Sequence, residues 1–210
     1  MSKTDSRALF VAVAAMAAVV VASNYLVQIP VGAVVGGLDL SHILTYGAFT
    51  YPLAFLVTDV VNRTFGPRLA RRVAYVGFAL AVVMSAILAD PRIAIASGTA
   101  FLTAQLLDVS LFNRLRQGSW WRAPLASSLA GSALDTALFF TLAFSALIPF
   151  RVDGFATEAI PLFGVIVGTE APRWVSWALA DFTVKLMVAA IALMPYRLIT
   201  ARLAYRLNQA

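Results

Sequence analysis

Cysteine is absent from this 210-residue chain, and histidine occurs once, as His42. The first absence excludes disulfides, thiolate catalysis, iron–sulfur clusters and cysteine-type zinc sites. The second excludes any multi-histidine metal centre, so neither a metal nor a cofactor is expected. Charge is scarce as well: 16 Lys and Arg and 10 Asp and Glu make up 12% of the residues. No polar stretch is long enough to fold alone, so residues 1–210 read as a single domain. There is no Walker lysine loop, no HExxH and no GxSxG, and the chain is not expected to be an enzyme.

Apolar sequence fills the space that these absences leave. The chain is 61% hydrophobic with a mean hydropathy of +0.85, whereas an ordinary soluble domain has about 45–50% apolar residues. Long apolar runs recur from end to end, which predicts an all-α integral membrane protein. Six helical spans can be drawn: Ala8–Ile29, Ile43–Val61, Val73–Ala89, Ile93–Phe112, Ala123–Phe150 and Trp174–Leu198. Each approaches the ~20 residues that cross a hydrocarbon core of ~30 Å. The first run exceeds the length of a signal-peptide core and is read as uncleaved.

The net charge of +6 would suggest nucleic acid on a soluble chain. Here the basic residues alternate between loops, so no nucleic-acid partner is expected. Lys3, Arg7, Arg63, Arg68, Arg71, Arg72, Arg114, Arg116, Arg122, Arg197, Arg202 and Arg206 fall on one side of the spans. Arg92, Arg151 and Arg173 fall on the other, with Asp39, Asp90, Asp153, Glu158 and Glu170. The positive-inside rule then puts both termini in the cytoplasm. Two segments on the opposite side are more than turns. Pro30–His42, with Gly32, Gly36 and Gly37, reads as extended, and Ile160–Val167 is apolar but too short to span.

Asp59, Asp108, Asp135, Asp181 and Lys185 interrupt these apolar runs. A charge at bilayer depth costs at least ~2.5–3.5 kcal/mol, so such groups face the protein interior or a wet cavity and mark functional sites. Asp135 lies roughly 18 Å from the start of the fifth span, near mid-bilayer. Asp181 and Lys185 are four residues apart on the last span, and Gln105 and Asp108 are three apart on the fourth. Asp59 and Asn62 share a face at the end of the second, and Asn24 lies in the outer half of the first. These eight residues form the candidate substrate-binding set, centred on Asp135, Asp181 and Lys185.

Plainer roles compete with this one. Asp181 and Lys185 suit a structural ion pair, Asp59, Asn62 and Arg63 suit a helix-end cluster, and Asp135 suits a neutral carboxyl bonded to a neighbouring helix. Trp120 and Trp121 fit an interfacial belt. Trp177, one turn before Asp181, fits either a stacking ring or a lipid anchor. Ala14, Ala18 and Ala22 form a small-residue stripe that fits internal packing or a second helix, whether from a homodimer or an energising partner.

Four stretches together carry a resemblance: YPLAFLVTDVVNRTFG (51–66), AFLTAQLLDVSLFNRLR (100–116), SSLAGSALDTALFF (127–140) and DFTVKLMVA (181–189). The chain resembles the YhhQ-type, or VUT, family of queuosine precursor transporters over nearly its whole length. Asp59, Asn62, Asp108, Asn113, Asp135 and Lys185 match the family pattern, while Arg63 departs from it. The resemblance implies a multi-pass protein of the bacterial inner membrane that imports the 7-cyano (preQ0) and 7-aminomethyl (preQ1) deazaguanine bases. It also implies a six-span architecture similar to the substrate-binding component of energy-coupling-factor transporters. The alternative function it leaves open is that of such a component, dependent on an ATP-driven partner. The chemistry is compatible with a deazaguanine. A carboxylate can accept its N1–H and N2–H₂ donors together, Lys, Asn or Gln can donate to its carbonyl, and the flat ring needs an aromatic slot.

Overall fold

A computed structural model describes residues 3–207. Its helix boundaries follow glycine, proline and aspartate. Helix α1 is Lys3–Leu26. Helix α3, Leu53–Phe65, stops at Gly66, whose φ of 88° is open to glycine at no cost, and α4, Pro67–Leu88, starts at once with proline in its first turn. Asp90 caps α5, Pro91–Leu115, by accepting from the Arg92 N–H, and again proline follows the cap. Helix α6 is Arg122–Phe144 and α8 is Arg173–Leu207. Two short helices complete the set, α2 at Gly47–Thr50 and α7 at Gly154–Thr157.

Five of these helices, α1, α4, α5, α6 and α8, are long and apolar enough to cross a membrane. The chain is a mostly helical, multi-pass membrane protein. The expected second span, Ile43–Val61, is not a single long helix. Its residues form α2 and α3, separated at Tyr51 and Pro52. Pro52 has no N–H to give, and the flanking bonds tighten to the three-residue kind, Ala54 N–H to Tyr51 O and Phe55 N–H to Pro52 O. Tyr51 and Pro52 keep right-handed helical dihedrals, so the path bends without reversing.

Other boundaries move too. The third span begins at Pro67 instead of Val73, the fifth ends at Phe144 instead of Phe150, and the last runs on to Leu207 past an internal Pro195. The all-α expectation also needs correction at one end of the bundle. Strands β1, Val34–Val35, and β2, Leu38–Asp39, form a hairpin whose two turn residues, Gly36 and Gly37, both have positive φ. That is the turn geometry favoured by the twist of a tight hairpin. The apolar piece Ile160–Val167 belongs to a second hairpin, β3, Ala159–Leu162, paired with β4, Ile166–Pro172. Both hairpins sit at what we term the hairpin end. Arg63 and Arg116 mark the opposite, arginine end, where each donates to the other's backbone carbonyl.

Helix α5 packs along α4 and α6, α1 lies on α4, and α8 closes on α6 and α3. Met16, Val20, Ala70, Val73, Phe101 and Val109 form the main apolar core between α1, α4 and α5. Helix α1 presents Ala12, Met16, Val20 and Ser23 to that core. Ala14, Ala18 and Ala22 point away from it and are exposed, so the expectation of internal packing for this stripe is overturned. At Gly131 the backbone of α6 comes close to that of α5, with the Ala104 carbonyl 3.4 Å from where a Cβ would stand. A Cβ on Gly131 would meet the Phe55 ring at 2.8 Å. This approach brings the polar face of α6 against α3 and α5.

Candidate functional site

Helix α6 carries a seam of small and polar residues, Ser127, Ser128, Gly131, Ser132, Asp135 and Thr136, all of them buried. Small side chains let helices approach closely, and the polar ones then bond across the contact. At the middle of the seam Lys185 reaches over from α8. Its Nζ donates to Asp135 Oδ2 at 2.7 Å and to Thr136 Oγ1 at 3.0 Å. It also pairs with Asp181 Oδ2, one turn earlier on its own helix, at 2.5 Å. Thr136 in turn donates to Asp181 Oδ2 at 2.9 Å.

This cluster brings together the three residues at the centre of the candidate set. The basic partner of Asp135 comes from another helix, as Lys185 of α8. Lys185 is 4% exposed and Asp135 7%. Two carboxylates against one ammonium leave the cluster with a formal charge of −1. An ammonium has three N–H donors, and here all three have partners within the protein.

Above the cluster opens a cavity of about 590 Å³, within the usual range for small-molecule sites of about 300–1,000 Å³. Asp135, Asp181, Lys185 and Tyr51 line its inner part with Ser97 and Ala100. Phe139, Phe140, Phe144 and Trp177 form an aromatic wall. Phe144 meets Trp177 edge to face at 5.4 Å, and the Trp177 Nε1–H donates to His42 O at 2.9 Å. Trp177 is therefore tied into the cavity wall, not anchored in lipid. Opposite lie Asn24 and Gln28 from α1, with Ser85 and Asp90 from the α4–α5 end. The Asn24 amide donates to Val20 O and accepts from Ser85 Oγ.

Gln105, Asp108, Asp59 and Asn62 do not line this cavity. They continue below it, toward the arginine end. Gln105 shares a small void with Asp135, Lys185, Tyr51 and Phe55, and its Oε1 accepts from Thr58 Oγ1 at 3.0 Å. Asp59 accepts from Ser127 and Ser128 at 3.4 and 3.2 Å. Asn62 donates to Val109 O at 2.9 Å. Segments 58–63 and 107–114 are thus neighbours in space, facing each other across the contact of α3 with α5.

Outside the spans, Asp39 and Asp90 stand below the usual carboxylate range. Hydrogen bonds from Ser41 hold Asp39 down. For Asp90 the larger cause is the Arg92 N–H, followed by Arg151, whose Nη1 lies 2.7 Å away.

Residues 45–90 and 85–199 match the profile of the family described as "Putative vitamin uptake transporter". The chain belongs to this family. It is 34% identical over 198 residues to the "Queuosine precursor transporter" of Escherichia coli (strain K12), covering 84% of this chain and 79% of that one. It is 33% identical over 204 residues to the "Probable queuosine precursor transporter" of Haemophilus influenzae, with the same coverage. A "Probable queuosine precursor transporter" of Bacillus subtilis is 29% identical over 133 residues, 50% of this chain and 58% of that one. No solved structure matches the chain.

Several residues of this family member's cavity stand out little in the sequence. Thr136 binds both charged groups of α8 yet is one of many threonines. Tyr51 reaches the cavity because Pro52 breaks the helix beneath it, and its hydroxyl lies 3.3 Å from Ser97. The Tyr-Pro pair inside an apolar run is the available signal. Phe140 and Phe144 are visible there only as generic apolar residues.

Proposed function

We propose that this protein imports queuosine precursors, deazaguanine bases of the preQ0 and preQ1 type, for salvage into tRNA. The observation that carries the reading is the cluster Asp135–Lys185–Asp181 beneath an aromatic-walled cavity, in a chain whose relatives bear the name queuosine precursor transporter. A guanine-like edge offers two adjacent N–H donors. A carboxylate in a site of net charge −1 answers them with a charge-assisted pair. Asp135 is the group we assign to this edge, with Asp181 beside it. Lys185 already donates to three partners, so its role is to hold the two carboxylates in position and not to bind the base carbonyl. Asn24 and Gln28 are the amides available for that carbonyl, and the Phe139–Phe144 wall with Trp177 suits the flat ring.

The broken α2–α3 helix, counted with the five long ones, makes six crossings. The hairpins then lie on the periplasmic side of the inner membrane and both termini in the cytoplasm, as the arginine distribution favours. A helix interrupted beside the cavity is a recurrent device at the substrate sites of membrane transporters. We favour a carrier that acts alone over a binding component of an energy-coupling-factor transporter. The exposed alanine stripe of α1 is the surface that the second reading would use.

The test is tRNA queuosine analysis in cells unable to make the precursor, fed preQ0 or preQ1, with and without this gene. Queuosine is expected in tRNA only with the gene. Equal queuosine in both strains at limiting precursor sinks the reading.

A further inference from the structure

The polar cluster below the cavity has a chemistry of its own. Asp59 is 2% exposed and Asp108 0%, so carboxylates from α3 and α5 are both shut away from solvent. The bonds that flank them, Thr58 to Gln105 and Asn62 to Val109, set the two side by side across the contact of α3 with α5. Among the described residues, no Lys, Arg or His comes within ion-pair distance of either. Ser127, Thr58 and Asp59 adjoin the Asp108 carboxyl, yet neither of its oxygens has a hydrogen bond of good geometry. Ser132, 1% exposed, also has an unpartnered hydroxyl. It lines, with Asp59, Ser128 and Tyr196, a small cavity of about 10 Å³.

Two adjacent carboxylates stripped of water and lacking a counter-ion cannot both stay charged. The pair therefore needs a cation. The adjoining space is about that of a single water, too small for a metal ion that keeps a hydration shell. The groups that face the pair are few. Arg63 follows Asp59 by one turn on α3 but is spent on the Arg116 carbonyl. Helix α6 brings the hydroxyls of Ser127, Ser128 and Ser132, and α8 brings Tyr196. Helices α1 and α4 contribute Met16 and Val73 to the apolar core, where Val61 of α3 and Val109 of α5 join them. Above the pair, Thr58 and Gln105 lead to the void shared with Asp135 and Lys185.

We propose that Asp59 and Asp108 share one proton, and that this proton enters with the substrate as its coupling ion. The pair is a second site, separate from the substrate cavity and joined to it through Thr58 and Gln105. Loading the pair from the cavity side and emptying it toward the arginine end makes uptake respond to a proton gradient. The coupling role rests on the transport reading above; the shared proton does not.

The test has two arms, both on the purified full-length chain. In membranes at neutral pH, infrared spectra are expected to show a protonated-carboxyl band. The band persists in Asp135→Asn and vanishes in the double variant Asp59→Asn with Asp108→Asn. A wild-type protein without the band overturns the shared proton, whatever the substrate. In liposomes, an inward proton gradient is expected to drive accumulation of 7-aminomethyl-7-deazaguanine and to acidify a trapped pH dye. A protonophore abolishes the accumulation. The double variant is expected to lose accumulation but keep exchange of internal for external base, which also reports that it is folded. Accumulation driven by a sodium gradient, or undiminished in the double variant, overturns the coupling. If the wild type moves no deazaguanine while the band behaves as expected, the substrate reading fails and the shared proton stands.

Discussion

Lys185 and Asp135 are fifty positions apart in the chain and meet at 2.7 Å across the contact of α6 with α8. The same ammonium holds Asp181, so one cation organises two carboxylates from two helices. Removing different members of this set has unequal consequences. Asp135→Ala leaves Lys185 paired with Asp181 and Thr136, and the cluster becomes formally neutral. The protein should stay folded, while loss of a charge-assisted pair worth about 1.5–3 kcal/mol weakens substrate binding roughly 10- to 150-fold. Lys185→Met strands the buried Asp135 carboxylate and the half-buried Asp181, and breaking a buried pair in this way costs about 3–5 kcal/mol. Thermal unfolding in detergent and binding titrations on both variants check the asymmetry. Equal stability of the two would show that Lys185 does not organise the cluster.

The second carboxylate gives a different prediction. The aminomethyl base is a cation and the cyano base is not, so a site of net charge −1 should favour the former. Asp181→Asn brings the cluster to neutrality while leaving Asp135 in position. The expected outcome is a selective loss of the aminomethyl base, with the cyano base less affected. Competition between the two bases for uptake measures the ratio directly. An unchanged ratio means that Asp181 does not face the substrate amine.

Charges inside apolar runs make the members of the cluster legible in the sequence, because no soluble-protein role explains them. Spacing alone cannot join Asp135 to Lys185, since the contact between α6 and α8 is tertiary. Hydropathy likewise finds the long helices but merges α2 with α3. A proline in an apolar run changes hydropathy little, whereas the missing N–H at Pro52 changes the backbone. Asp59, Asp108 and Asp135 look like one set in sequence for a related reason. Depth along an axis does not reveal that Asp135 lines the cavity while Asp59 and Asp108 lie outside it, beyond the void that Phe55, Phe101 and Gln105 line. The hairpins escape because strands of two to four residues carry almost no periodic signal, and the seven-residue β4 is exposed along nearly its whole length and so shows no alternation.

Arg92 supplies a prediction about folding. It is 4% exposed and donates to the carbonyls of Leu142, Ser145, Phe150 and Arg151. These include carbonyls at the end of α6, where the helix has no internal donor left to offer. Arg92→Ala should cost on the order of 3 kcal/mol, through several buried acceptors left unpaired. Arg92→Lys keeps the charge but not the fork, and should recover only part of the loss. Thermal unfolding of both variants provides the measurement. Full rescue by lysine would show that charge alone matters.

Asp90 adds a pH dependence at the same end. Its carboxylate caps α5 and pairs with Arg151, and both contacts favour the charged form and lower its pKa. A group depressed on folding stabilises the native state above its unfolded pKa of about 4 and loses that contribution as pH falls through the lower, folded value. The α4–α5 turn should therefore loosen below about pH 4, and Asp90→Asn should remove this part of the acid sensitivity. Hydrogen exchange at the first turn of α5, followed against pH, reports it. An unchanged profile in the variant would assign the acid response elsewhere.

Pro52 tests whether the break between α2 and α3 serves the site. Proline costs about 3 kcal/mol relative to alanine inside a helix, so Pro52→Ala should favour a continuous helix through Tyr51. By helix propensity alone the variant should be at least as stable as the parent. Straightening would turn Tyr51 away from Ser97 and from the Phe101 ring, which it now meets edge to face at 6.3 Å. Tyr51 also lines both the main cavity and the void beneath it, so its displacement opens the floor on which Asp135 and Lys185 stand. The expected result is a protein of equal or higher melting temperature with impaired uptake. Such opposite movement of stability and activity distinguishes a functional break from a packing accident. A variant more stable and fully active would show that the bend in this helix is not needed to shape the cavity.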